Sequence, residues 1–481
     1  MHTEWRGYQS SSAQPKPRKR WGKTRPNRRG LVCSPWFIGN YQIKPAPPTL
    51  TMHLIRWSLT TVLLTLSLHA SAGLPAGWSE ISPRDEIRPV FAYDEKASAF
   101  SIVHDDRQGL DGWFQKTFPV TGGDFVKFSA LRKTQDVENP RHSGLSRVVW
   151  KDAKGKAVAS DTPGASAEPE HPIDGTTDGQ GRTMISGIYH VPAKATQAII
   201  ELHLQHAPKG RVEWSEVVFE KTSAPVARKV RLGTVQYVPT GKSPRQNCEE
   251  YAPMIAEAAK QKADLIVLGE TVPYVHTKLS PAESAEPIPG PTTEYFSDLA
   301  AKLSVHIALS LYERDGHLVY NTAILLSPEG KLIGKYRKVC LPHGEVEKGV
   351  APGADYPVFD TKFGKVGLMI CYDGFYPEVA RALTANGAEV IAWPVWGCDP
   401  LLARARACEN RVFIVSSTFT DPKSNWMISA IIDPAGKVLA QAKESGSIVV
   451  SEVDLSKPLV GPYNLGDFHD IVQRHRPGSS K

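Results

Sequence analysis

Three side chains far apart in the sequence have the types needed to cleave an acyl–nitrogen bond. Glu270 lies in Leu268-Gly269-Glu270-Thr271, Lys338 in Lys335-Tyr336-Arg337-Lys338-Val339-Cys340-Leu341-Pro342, and Cys371 in Gly367-Leu368-Met369-Ile370-Cys371-Tyr372-Asp373-Gly374. Each follows a run that reads as a strand, so all three are expected at strand ends. Cysteine is the best side-chain nucleophile for an acyl carbon once it is a thiolate or has a base beside it. Glu270 has the chemistry of that base: it would take the thiol proton, hand it to the leaving amine and then activate water. Lys338 would supply positive charge to the tetrahedral oxyanion. Gly374 and Pro377 predict a turn and a helix after Cys371, which leaves the sulfur exposed at a strand-to-helix elbow. There the free backbone N–H groups, notably that of Tyr372, would face the oxyanion. Taken singly, each residue has a bland reading: a small buried hydrophobe, a solvated acid, a surface charge. Their ordered coincidence favours the chemistry.

In residue type, order, spacing and strand context the three motifs resemble the nitrilase superfamily of carbon–nitrogen hydrolases, whose triad is Glu, Lys and Cys in that order. The resemblance covers residues 230–455 and extends to Arg406-Ala407-Cys408-Glu409-Asn410-Arg411 followed by a strand. It implies a four-layer α-β-β-α sandwich, a thioester acyl-enzyme, no cofactor, and dimers formed through that domain. The family also carries a second glutamate after the lysine that helps to hold it. Glu345 is the choice here and Glu347 the rival. Where the family frequently has histidine, two residues after the lysine, this chain has Cys340. Cys340 with His343 is only half a zinc site, so no metal is expected. Nitrile-hydrolysing members typically have tryptophan and glutamate after the cysteine, whereas Cys371-Tyr372-Asp373 resembles the amidase and carbamoyl-amide branch. The implied substrate is therefore a small, non-peptide amide or carbamoyl compound. Trp396, in Trp393-Pro394-Val395-Trp396, follows a strand end and is expected either to line the substrate pocket or to sit in the core. Two alternatives stand beside this reading: an inert secreted glycan-binding protein, and an amide acyltransferase. The family's acyltransferase branch carries many membrane helices, which this sequence lacks.

The elements that must hold these residues are legible from periodicity. From Val230 strands alternate with helices, giving an α/β class. A strand is expected at 231–237, a helix over Cys248–Lys262, and a buried strand over 263–270 that ends on the acid. Hairpins are expected over 319–337, turning through Ser327-Pro328-Glu329-Gly330, and over 430–440, turning through Asp433-Pro434-Ala435-Gly436. Before this region, short polar/apolar alternations at 113–120, 125–131, 146–150, 197–204 and 211–219 predict an all-β antiparallel sandwich. That pattern resembles the jelly-roll modules found beside secreted carbohydrate-active enzymes, which implies a glycan or cell-wall ligand. Its tryptophans, including Trp150 and Trp214, are expected in the core rather than as sugar platforms. The division is therefore 73–228 for the sandwich, with a linker at 222–229, and 229–481 for the hydrolase domain.

The chain has 481 residues, and its 57 Lys+Arg against 50 Asp+Glu give a net charge of +7. Residues 1–51 alone hold ten basic residues and one acid, a net of +9, while the chain from 73 onward is −3. The body is faintly acidic, which argues against a nucleic-acid-binding core; composition also argues against collagen-like, wholly disordered or polytopic membrane chains. Residues 52–72 read as a secretory signal peptide: Arg56, an apolar run from Leu59 to Leu68, then Ala70-Ser71-Ala72. The run is too short to span a bilayer of about 30 Å, so cleavage before Gly73 is expected, leaving no membrane span and a secreted or periplasmic protein. Residues 1–51 then read as an upstream extension or a disordered basic arm, with Met52 as the initiator. Five cysteines remain after cleavage, a count that suits one free thiol and at most two bridges.

Overall fold

The computed structural model describes residues 73–457, apart from 163–164, 422, 425 and 427. The basic arm, the signal peptide and residues 458–481 lie outside the described residues. The described chain is a mixed α/β protein built on four sheets.

Ten strands form the first half: β1 Trp78–Ile81, β2 Val90–Asp94, β3 Ala99–Val103, β4 Asp111–Pro119, β5 Phe125–Gln135, β6 Ser146–Lys151, β7 Ile173–Thr177, β8 Arg182–His190, β9 Gln197–Gln205 and β10 Arg211–Thr222. They pair antiparallel into a four-stranded sheet, β1-β4-β9-β6, and a six-stranded sheet, β2-β3-β10-β5-β8-β7. Both sheets feed one core. Phe114, Val148, Trp150, Ile200 and Leu202 come from the first sheet; Ile102, Phe128, Ile185, Val212 and Trp214 come from the second. Alternation explains this: along β9, Ala198, Ile200, Leu202 and Leu204 point inward while Glu201 faces out. Trp150 and Trp214 are both buried in this core, which leaves neither as a sugar platform. The five strands predicted here all form. β1, β2, β3, β7 and β8 add to them. β10 runs to Thr222 past a bulge in which Glu216 is left-handed, at φ +50°.

In the second half, strands β11 Lys229–Gln236, β12 Leu265–Val267, β13 His306–Asp315, β14 Leu318–Leu326, β15 Leu332–Arg337 and β22 Ser447–Asp454 make one sheet, ordered β15-β14-β13-β12-β11-β22. Strands β16 Val358–Asp360, β17 Lys365–Leu368, β18 Val390–Pro394, β19 Phe413–Ser417, β20 Ala430–Ile432 and β21 Val438–Gln441 make another in numerical order. Each sheet has three parallel strands at its centre and antiparallel partners outside. The seven α-helices among the described residues are α1 Pro140–Ser143, α2 Pro244–Lys260, α3 Pro281–Ser284, α4 Pro291–Leu303, α5 His343–Val346, α6 Pro377–Ala385 and α7 Pro400–Asn410. Six of these, among the described residues, begin on proline, which has no N–H to leave unsatisfied in a first turn. The same chemistry moves the start of α2 four residues ahead of its predicted one: Ser243 caps it by accepting from Gln246 N–H, and Pro244 follows.

Strand β12 shows why the centre reads as a continuous apolar run. Leu265 and Val267 pack with Val366, Leu368, Val390 and Ile414 of the second sheet. Ile266, with the neighbouring Leu268, packs among Tyr251, Ile255 and Ala258 of α2 and Phe296 of α4. A strand covered on both sides must be apolar on both. The predicted strand over 263–270 shortens to Leu265–Val267 because the chain leaves the sheet after Leu268 and turns at Thr271, which is left-handed at φ +43°. Both predicted hairpins form. The five described cysteines are all free thiols.

Candidate active site

Glu270, Lys338 and Glu345 meet in one buried cluster. Lys338, 1 % exposed, donates from Nζ to Glu270 Oε1 at 2.9 Å and to Glu345 Oε2 at 2.7 Å. β15 ends at Arg337, which delivers the lysine into the interior, and α5 brings Glu345 back across it seven residues later. Burying an ammonium is costly unless charges and hydrogen bonds surround it. Here burial opposes the charged form, yet the carboxylates of Glu270 and Glu345 hold Lys338 well above its ordinary pKa. Burial pushes Glu345 up, against the pull of Lys338 and with the repulsion of Glu270. Glu347 lies outside the cluster and pairs with the exposed His343 at 3.0 Å.

Asn321 of β14 completes the cluster. Its Nδ2 donates to Glu270 Oε1 at 2.8 Å and to Glu345 Oε1 at 2.7 Å, so one amide spans the two acids while Lys338 neutralises them. Sequence reasoning missed Asn321. The available signal was the one amide inside the largely apolar run from Leu318 to Leu326.

Cys371 sits at the predicted elbow. It opens a 3₁₀ turn over Cys371–Phe375, its own φ is +40°, and α6 starts at Pro377. Gly374 is required in this turn, because a Cβ there would stand 2.1 Å from the buried Trp393 ring. The Tyr372 N–H donates to no acceptor among the described residues, while its hydroxyl meets that of Tyr376 at 3.2 Å. One expectation fails: Cys371 is buried, at 7 % exposure, rather than open. The loop after β18 covers it, with Gly397 C=O 3.5 Å from Sγ. Gly397 is itself backed by Trp426, whose indole a Cβ would strike. Burial first, and then the charge of Glu270, pushes the thiol far above its ordinary pKa despite the pull of Lys338.

The same loop joins the cluster through its backbone. Trp396 N–H donates to Glu270 Oε2 at 3.0 Å, and Trp396 C=O accepts from Thr418 Oγ1 at 2.8 Å. The Trp396 ring is 54 % exposed, which rules out the core position. Cys340 faces Asp373 rather than His343. Among the described residues no group of three His, Cys, Asp or Glu side chains could hold a metal.

Residues 231–458 match the family described as carbon-nitrogen hydrolase. A nitrilase of Pyrococcus abyssi is 37 % identical over 258 residues, covering 51 % of this chain and 97 % of that protein. The mouse omega-amidase NIT2 is 34 % identical over 229 residues, covering 42 % of this chain and 81 % of that one. Among solved structures, an amidase from Nesterenkonia sp. aligns at a TM-score of 0.42 with 23 % identity, over 47 % of this chain and 90 % of that chain.

Proposed function

The chain belongs to the nitrilase superfamily and is a carbon–nitrogen hydrolase, and from that premise we propose that it cleaves a small amide through a thioester on Cys371. The observation that carries the reading is the buried ammonium of Lys338 held between Glu270 and Glu345, beside a cysteine on a strained turn. Cys371 rests as a neutral thiol, so a base must act as it attacks. Glu270 takes the thiol proton. The oxyanion forms against Lys338 and the free Tyr372 N–H. Collapse breaks the C–N bond, with Glu270 returning the proton to the leaving nitrogen, and water activated by the same carboxylate then hydrolyses the thioester. Glu345 and Asn321 fix the lysine and the base. Trp396 fixes the second oxygen of Glu270 through its N–H, and its exposed ring lines the approach to the site.

The test is ammonia release from a panel of primary amides, carbamoyl compounds and nitriles, with mass-spectrometric capture of the acyl group on Cys371. Asn321→Ala sharpens it. That change removes two hydrogen bonds to charged partners, each worth about 1.5–3 kcal/mol. If even one of them is lost only in the reacting geometry, kcat falls by about 10- to 100-fold with the fold retained. An unchanged kcat removes Asn321 from the machinery.

The organisation read from the sequence supports the rest of the proposal. The described residues of 73–228 form a jelly-roll-like module, and those of 229–457 form the hydrolase domain in α-β-β-α layers. The support for that layering is that α2 and α4 share a core with one side of the first sheet, whose other side packs against the second sheet. The pattern at 52–72 supports export, so N-terminal sequencing of the exported protein is expected to begin near Gly73. Recovery of peptides from 1–51 in that material would overturn export by cleavage there.

A further inference from the structure

Asp373 is fully buried and, among the described residues, forms no ion pair, yet it accepts from three separate places. Its Oδ1 accepts from Cys340 N–H at 2.8 Å. Its Oδ2 accepts from Tyr336 O–H and from Ile370 N–H, each at 2.8 Å. Tyr336 and Cys340 stand two residues before and two residues after Lys338; Ile370 immediately precedes Cys371. One carboxylate therefore ties the strand that carries the lysine to the turn that carries the nucleophile. These segments belong to different sheets, and no backbone ladder joins them.

We propose that ionised Asp373 is a positioning residue that sets the register between Lys338 and Cys371. It touches no reacting atom and acts through Tyr336, Cys340 and Ile370. The inference rests on the thioester mechanism above for its kinetic readout. Its ionisation adds a pH dependence. Burial raises Asp373 to about 6, against the hydrogen bonds from Cys340 and Ile370, the charge of Lys338 and the Tyr336 hydroxyl. The titratable groups around it are Tyr336, Lys338, Cys340 and Tyr356; burial raises Tyr336 and Tyr356, so both keep their protons, and burial carries Cys340 to about 11. As pH falls through about 6, the carboxyl gains a proton and loses the negative charge that its three donors meet, which weakens those bonds. Activity is expected to fall with it.

The test compares Asp373→Asn and Tyr336→Phe with the wild-type full-length enzyme. Asp373→Asn places an NH₂ against a backbone N–H, and displacement of the yoked groups by about 1 Å is expected to lower kcat about 10- to 100-fold. KM changes less than about threefold, because no group on the approach to the site moves. Tyr336→Phe removes one donor to the carboxylate, so the acidic limb of the kcat profile moves to higher pH. A wild-type kcat for Asp373→Asn overturns the proposal. So does a Tyr336→Phe limb that coincides with the wild-type one, and that variant decides the matter if Asp373→Asn does not fold. Labelling of Cys371 by iodoacetamide across the same pH range needs no substrate. If the wild-type enzyme hydrolyses no amide, the mechanism fails on its own, and equal labelling profiles for all three proteins would still overturn the role of Asp373.

Discussion

Replacing Cys371 with alanine is expected to abolish amide hydrolysis, lowering turnover by about 10⁶-fold, the scale reached when the nucleophile is removed from residues that act as one unit. The argument rests on the state of the thiol. Burial and the charge of Glu270 keep it protonated, so in the proposed mechanism the thiol becomes reactive only when Glu270 accepts its proton. Alanine leaves Lys338, Glu345, Asn321 and the Tyr372 N–H in place. What remains is an oxyanion site with nothing to attack the carbonyl. The measurement is ammonia release alongside thermal unfolding and the mass of the trapped enzyme. A stable alanine variant that still turns over amide, or an acyl adduct on a different residue, would end the thioester mechanism.

The three residues proposed to carry this chemistry are legible because each lies in a short local pattern at a strand end. What surrounds them is not, because it is assembled from distant segments. The sulfur of Cys371 was expected to be open, and nothing within its own motif says that Gly397, 26 residues on, lies over it. The sequence offers Trp396 as a ring, in a pocket or in a core, whereas its contact with Glu270 is made by a backbone N–H that any residue but proline could supply. Asn321 and Asp373 are ordinary polar residues in sequence. Their meaning comes from the two sheets, which place Asn321 between two acids and Asp373 between the lysine and the nucleophile. In the sandwich, clean alternation made β4, β6, β9 and β10 visible. The outer strand β7, written Ile173-Asp174-Gly175-Thr176-Thr177, carries too little apolar signal to be read as a strand.

Glu270→Gln separates the base from the scaffold, and its expected signature is a split between substrates. Glutamine has nearly the same shape, so it can still accept from Asn321, Lys338 or Trp396 N–H through its one oxygen, while Glu345 keeps its bond to Lys338. What it cannot do is carry a proton. An amide must have its leaving nitrogen protonated as the tetrahedral intermediate collapses, so amide turnover is expected to fall within the 10²- to 10⁴-fold range typical of a lost general acid–base. An activated ester expels a stable anion and needs no such proton. Removing the charge of Glu270 also removes the second cause of the raised thiol pKa, which leaves Lys338 free to favour the thiolate. Acylation of Cys371 by an activated ester is therefore expected to fall far less than amide turnover. The thioester should then accumulate, because the water that would hydrolyse it has lost its base. A burst of alcohol release followed by a slow steady state, with the acyl-enzyme seen by mass, is the expected record. Equal losses for amide and activated ester would mean that Glu270 only orients Lys338, and the proton path would have to run through Glu345, the other carboxylate on the same ammonium.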